Sequence, residues 1–203
     1  MAGQISITRE EYLDSIRQLS DAASELDERF TMNQMTWQPG GGERWSISEC
    51  LDHLAIATGI YLDAMEPAIG DARSGAAAGI FRTAGLPSAK FARELEPPPR
   101  TKWPTTGKIR PRPTLNPESI LPQFLKTMDR VSALVRSSAH KDLNAVRFRD
   151  PLVPLARFTV ASGFLIIAAH GRRHLWQAEQ VVQEPDFPLS ASGGALSGGR
   201  RNQ

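Results

Sequence analysis

Four segments of the sequence place apolar residues at alternating spacings of three and four, which is the period of one face of an α-helix. Such a helix must bury its apolar face against a neighbour, so four of them in one chain favour an all-α four-helix bundle. We predict no strands. The expected helices run from about Thr8 to Phe30, from Ser46 to Pro67, from Asn116 or Ser119 past Val135, and from about Thr159 to Gln183.

Two of these helices begin at a capping box, in which a hydroxyl residue and a glutamate three positions later satisfy free backbone N–H groups. Thr8 pairs with Glu11 in this way, and Ser46 pairs with Glu49. We expect Pro67 to end the second helix, because proline has no N–H and its ring clashes with the preceding turn.

A long connection, residues 67–116, separates the second and third predicted helices and is rich in proline and glycine. Its first half, to about Phe91, contains enough alanine for short helical pieces, and its second half should be extended. Connections this long inside a compact domain are either functional or disordered. We interpret this one as a lid over the open end of the bundle, with basic side chains that attract an anionic substrate. Five basic residues surround Trp103: Arg100, Lys102, Lys108, Arg110 and Arg112.

Length and composition limit the classes of protein open to this chain. Its 203 residues suit one domain, expected over residues 1–189, followed by a flexible tail at 190–203. No apolar run approaches the roughly 20 residues that span a bilayer, and the N-terminus lacks the pattern of a secretory signal. A single cysteine excludes an internal disulfide and fits a reducing compartment, so we expect a cytoplasmic protein. The net charge of +2 and the lack of repeated aromatic residues among the basic ones argue against nucleic-acid binding.

The histidines are the side chains best suited to chemistry. His170 and His174 lie four residues apart, which on a helix sets them about 40° apart around the axis and about 6 Å along it. Both imidazoles can therefore reach one ion, and this spacing recurs in zinc sites built on helices. His53 lies beside the apolar stripe of the second helix and, taken alone, is better explained as a core-edge histidine with ordinary hydrogen bonds. His140 stands in a polar loop and is expected at the surface.

Two segments of the sequence resemble the DinB-like proteins. RWSISECLDHLAIAT is similar to the second helix of that family, and FLIIAAHGRRHLWQAEQVV is similar to its last helix. The resemblance extends in helix order and spacing from about residue 7 to 185. It implies a bundle with a long connection between helices two and three, and a divalent metal held by His53, His170 and His174. Many members are homodimers, and some are S-transferases that use low-molecular-weight thiols.

Three neutral imidazoles leave a coordination position open, as in catalytic-type zinc or nickel sites. Zinc in such a site lowers the pKa of a bound water to about 7, or binds a thiol as the thiolate. Glycine at position 171 stands where the HExxH motif has its glutamate, which disfavours protease chemistry. Glu49 and Gln177 are candidates to support the ligands. Each is explained at least as well without that role, Glu49 as the partner in the capping box and Gln177 as a solvated helix residue. Cys50 is a candidate ligand or reactive thiol but is better explained as a small buried residue.

Trp176 should face away from the metal, because it lies about 200° around the helix from His174. Two interpretations of this tryptophan remain open, packing against the long connection or contact with a partner subunit.

Three functions follow from these features, and each predicts a different site. A metal-dependent enzyme, either a thiol S-transferase or a hydrolase, predicts a pocket that reaches the metal. A non-catalytic metal-binding or structural stress-related bundle predicts a site without a groove wide enough for substrate. A degenerate bundle predicts that no metal binds.

Overall fold

A computed structural model gives the structure of this chain and describes residues 4–74, 79–101, 105–153 and 155–188. Within these residues the prediction of an all-α fold is confirmed, and the predicted tail at 190–203 lies outside them. Two short 3-10 turns, Pro39–Gly42 and Gly107–Ile109, lie between helices. The α-helices in the described part of the chain are α1 (Arg9–Arg29), α2 (Met32–Thr36), α3 (Ile47–Gly70), α4 (Gly85–Leu95), α5 (Pro117–Ser137) and α6 (Val160–Val182).

The four long helices, α1, α3, α5 and α6, form the bundle. Both α1 and α3 pack against α5 and against α6, so the four helices make a closed ring around the core. Each contributes a fully buried side chain to that core, namely Tyr12, Leu62, Phe124 and Phe164. The fold that the sequence predicts is therefore built by the four segments with helical periodicity.

The predicted capping boxes are present at the start of α1 and of α3. The Thr8 N–H donates to the Glu11 carboxylate at 2.7 Å, and the Glu11 N–H donates to Thr8 Oγ1 at 3.1 Å. Ser46 and Glu49 make the same exchange at 2.8 and 3.1 Å. These caps satisfy backbone groups that a helix start leaves free, which explains why the two predicted starts are correct to within one residue.

The prediction that Pro67 ends the second helix is wrong, because α3 continues through it to Gly70. A proline in the last turn removes one helical hydrogen bond, and the turn beyond it still forms, with the Asp71 N–H donating to the Pro67 carbonyl at 3.3 Å. Lys141 then caps this end of the helix, since its Nζ donates to the carbonyl oxygens of Ile69 at 2.6 Å and Gly70 at 3.1 Å.

The prediction of no strands is also wrong, because the described residues contain two small antiparallel pairs. Strand β1 (Ser6–Thr8) pairs with β2 (Ile80–Arg82), and β3 (Arg147–Arg149) pairs with β4 (Arg157–Thr159). Each strand has three residues, which is too short for an alternating pattern to stand out in the sequence. The β1–β2 pair ties the long connection to the start of α1.

The long connection contains more structure than its composition predicts. Within its first half α4 packs along α6, and the 3-10 turn of its second half contacts α3. The connection thus covers the side of the bundle where α3 and α6 meet. None of the helices in the described ranges combines the length and the apolar character that a membrane-spanning helix requires.

Candidate metal centre

The structure brings together the three histidines that the sequence selected. His53 of α3 is 2% exposed, His174 of α6 is 8% exposed, and His170 is half-buried beside them. One ring nitrogen from each residue lies within 4.8 Å of the others, and the Nε2 atoms of His53 and His170 are 3.1 Å apart. The cluster forms because α3 and α6 are neighbours in the ring and the two α6 histidines share one face.

Burial keeps these imidazoles neutral. It lowers the pKa of His53, lowers that of His170 to about 3, and lowers that of His174 well below its ordinary value. Mutual repulsion between the rings and the nearby charge of Arg173 lower the pKa of the two α6 histidines further. Neutral imidazoles have the lone pairs that a metal ion needs, so the three side chains could hold one at neutral pH.

Hydrogen bonds around the cluster fit a metal site. The Nδ1 of His53 donates to the carbonyl oxygen of Ile109, which leaves its Nε2 as an acceptor beside the Nε2 of His170. At 3.1 Å these two nitrogens can share a proton, which the His170 Nε2 would donate, or a cation that takes the place of that proton. The Nδ1 of His174 is buried and has no hydrogen-bond partner among the described residues. A divalent metal ion that prefers nitrogen ligands suits this donor set.

The structure distinguishes between the two candidates for supporting the ligands, Gln177 and Glu49. Gln177 lies against His174, where it opposes the lowering of the histidine pKa, and it lines the same cavity. The Glu49 carboxylate instead accepts hydrogen bonds from the Ser46 N–H and the Gln38 side chain, so the cap accounts for it. Gln177 therefore remains the candidate to orient a ligand.

Cys50 and His140 lie where the simpler interpretation of each predicts, in the core and at the surface. Cys50 is fully buried, is not one of the clustered donors, and has a pKa raised by burial. A thiol in that setting is protonated and shielded, so Cys50 is a core residue rather than a nucleophile. His140 is exposed, as its polar loop predicts.

The side-chain cluster lies on the wall of a cavity of about 520 Å³. The bundle supplies one wall through α3 and α6, and the long connection supplies much of the opposite wall. Residues from that connection on the cavity wall are Phe91, Leu95, Pro99, Thr105, Thr106 and Ile109. The connection therefore lies beside the cluster, along the side of the bundle where α3 and α6 meet and not over an open end as predicted.

Trp176 contradicts its prediction. It is half-buried on the wall of the same cavity, not on a face turned away from the cluster. The prediction used only the angle around α6, whereas the cavity wall also includes residues of the connection such as Phe91 and Leu95. The first interpretation of this tryptophan, that it lies beside the connection, agrees with this position.

The basic residues of the connection that the structure describes lie off the wall of the main cavity, and their attraction for an anionic substrate stays a prediction. Arg100, Lys108, Arg110 and Arg112 do not line the main cavity, and Lys102 and Trp103 lie outside the described residues. Among the residues that the structure describes, the cations on the cavity wall are Arg44 and Arg173, and neither belongs to the connection.

Arg112 has a different task, one that sequence reasoning missed. Its backbone N–H and Nε donate to the Asp52 carboxylate at 2.8 and 2.9 Å, and its Nη2 donates to Gln123 at 2.7 Å. Asp52 is fully buried next to His53, so this ion pair fastens the connection beside the cluster. A carboxylate on the inner side of an apolar helix was the available signal, because a buried charge needs a partner.

A four-helix bundle with converging histidines from two helices defines a class of candidate metal-binding proteins. The family model described as DinB superfamily matches residues 4–178, and the chain belongs to that superfamily. No curated protein and no solved structure matches the chain.

Proposed function

We propose that this protein binds one divalent metal ion, zinc or nickel, through His53, His170 and His174, and acts with it on a small molecule in the adjoining cavity. The observation that carries the proposal is that three neutral imidazoles converge on the wall of a cavity large enough for substrate. An ion held there and open to the cavity would supply activation of a water or a thiol. The reactions we propose are therefore metal-dependent hydrolysis or thiol S-transfer.

The chain itself contributes orientation and shielding. The Ile109 carbonyl holds the His53 ring, and the connection covers the cluster from solvent. Restricting water around a site strengthens the electrostatic interactions within it. A cavity beside the histidines favours this enzymatic role over a non-catalytic, structural one, which needs no such space.

Metal content provides the direct test. Wild type, His170→Ala and His140→Ala should be purified in parallel and analysed for bound zinc and nickel. We expect about one ion per chain in wild type and in His140→Ala, the exposed histidine serving as control, and a loss of the ion in His170→Ala. Equal trace metal in all three would contradict the proposal.

The co-substrate we propose is a low-molecular-weight thiol, and cobalt substitution provides its test. Addition of cysteine to the cobalt-loaded protein should produce a near-ultraviolet band from sulfur-to-cobalt charge transfer, and addition of serine should not. An unchanged spectrum on adding the thiol would leave hydrolysis as the reaction to test. We also propose that the chain forms a homodimer, as its resemblance to the DinB-like proteins implies. Light scattering on the eluting peak in size-exclusion chromatography checks this.

A further inference from the structure

Arg173 presents a positive charge to the cavity, and no carboxylate in the described part of the chain forms a close ion pair with it. The charge of Glu94 acts on it without a hydrogen bond and raises its pKa, by less than burial lowers it. It follows the α6 histidine His170 by three residues and lines the cavity half-buried. Its Nη1 donates to the carbonyl oxygen of Glu94 at 3.0 Å, and its Nη2 donates to that of Thr101 at 2.8 Å. Carbonyl oxygens orient a guanidinium without cancelling its charge.

The other charged side chains on the cavity wall are placed differently. Arg44 makes a two-pronged ion pair with Glu184, at 2.5 and 2.7 Å, so its charge is compensated. Glu43 is exposed, where water screens its charge. Among the described residues, Arg173 is thus the cation on the cavity wall that backbone carbonyls orient and that has no close ion pair, and its field reaches both α6 histidines.

Apolar side chains make up much of the remaining wall. They include Phe91, Leu95, Leu152, Ile166 and Ile167. Apolar surface buried against them gains about 25 cal/mol per Å², whereas an anion placed among them needs a charged partner. A ligand that satisfies the whole cavity therefore has an apolar body and one anionic group.

We propose that Arg173 binds the carboxylate of such a substrate and thereby sets its orientation relative to the histidine cluster. This inference rests on the proposed function in taking the cavity as the substrate site. It does not depend on which ion binds, because the guanidinium belongs to the chain.

Binding of 1-naphthylacetate and of its neutral amide, 1-naphthylacetamide, tests this assignment. The two probes share an apolar body and differ in charge, and titration calorimetry on metal-free protein in chelator measures both. Wild type should bind the acid roughly 10- to 100-fold more tightly than the amide, the range of one charge-assisted pair. Arg173→Gln should bind the two equally, with the affinity for the amide unchanged.

Arg172→Gln is the matched control, because it removes the same charge from the neighbouring residue. Arg172 is paired with the Glu96 carboxylate and does not line the cavity, so this variant should keep the preference for the acid. Equal binding of acid and amide by wild type, or no binding of the acid, would overturn the proposal.

Two further outcomes also count against it. One is a preference that survives in Arg173→Gln. The other is an equal loss of affinity for both probes in that variant, which would mean that Arg173 only holds the connection in place. No metal is present in these titrations, so they test the role of Arg173 even if the metal-site proposal fails. Metal content measured on Arg173→Gln shows whether the variant has also lost the metal site.

Discussion

The two residues of the Asp52–Arg112 ion pair differ in their exposure to solvent. The Asp52 side chain is fully buried, whereas that of Arg112 is 44% exposed. Losing the arginine leaves a buried carboxylate with only a backbone donor, which is costly, while losing the aspartate leaves an arginine that water can solvate. The pair therefore stabilises the fold mainly by compensating Asp52.

Arg112→Ala should lower the free energy of unfolding by about 2–3 kcal/mol, measured by urea denaturation. The double variant Asp52→Asn with Arg112→Ala should recover part of that loss, because the buried group is then neutral. Arg17→Ala is the control, since its pair with Asp14 is exposed and should be worth less than about 0.5 kcal/mol. A double variant no more stable than Arg112→Ala would contradict this account.

The clustered histidines should make the metal-free protein sensitive to mild acid. Their pKa values are lowered in the folded state, so the unfolded chain binds more protons below its own histidine pKa of about 6.5. Stability is then unaffected above that pH and falls as pH decreases below it, by up to about 1.4 kcal/mol per pH unit for each histidine. The loss from His170 continues toward its folded pKa of about 3.

Urea denaturation in chelator between about pH 7.5 and about pH 5.5, one unit above and one unit below the free histidine pKa of about 6.5, checks this expectation. His170→Ala should lose less stability than wild type over that interval, because it has one fewer histidine to protonate on unfolding. His140→Ala, which removes an exposed histidine, should follow wild type. Identical pH dependence in wild type and His170→Ala would argue against neutral, buried imidazoles.

At the level of the element, α6 is fixed in place by close contact at a glycine. A Cβ on Gly163 would lie 2.6 Å from Met65 Sδ and 2.9 Å from the Phe148 ring, whereas one on Gly59 of α3 would meet nothing within 4 Å. Both glycines are inside helices, so alanine gains the same helical propensity at each. The difference between the two sites is therefore a measure of packing alone.

Gly59→Ala should stabilise the protein by about 0.5–1 kcal/mol, from the helical propensity of alanine. Gly163→Ala should destabilise it by about 1–2 kcal/mol, because the rigid ring of Phe148 cannot give way as a flexible chain would. Thermal unfolding of the two variants beside wild type gives the comparison. Stabilisation by both substitutions would show that α6 has room to move away from α3.

The elements also show what the sequence can predict. Apolar periodicity and local caps placed the long helices because both signals lie within one segment, as Thr8 with Glu11 shows. The His170–His174 pair was equally local. His53 depended on resemblance, and Asp52 with Arg112 escaped notice because they lie 60 positions apart and meet only once the connection has folded. The three-residue strands likewise form through pairing across the fold.

For the whole molecule, the long connection is fastened to the bundle at the same place where the histidines converge. Ile109 bonds to His53, Arg112 to Asp52, and Arg173 to the carbonyl of Thr101. An ion that binds the cluster would fix His53 and so reinforce one of these attachments. Because such an ion binds the assembled site and not the scattered histidines of the unfolded chain, its binding free energy adds to the stability of the whole fold.

Adding zinc to chelator-treated wild type should therefore raise the midpoint of thermal unfolding. At a free concentration 100 times the dissociation constant the gain is about 2.7 kcal/mol, and for a domain of this size each kcal/mol corresponds to about 2–4 °C. We expect a rise of about 5–10 °C in wild type and in His140→Ala, and little change in His170→Ala. An equal rise of the midpoint in all three proteins would place the stabilising ion outside the cluster. A rise that is lost in His170→Ala would tie the stability of the bundle to the site between α3 and α6.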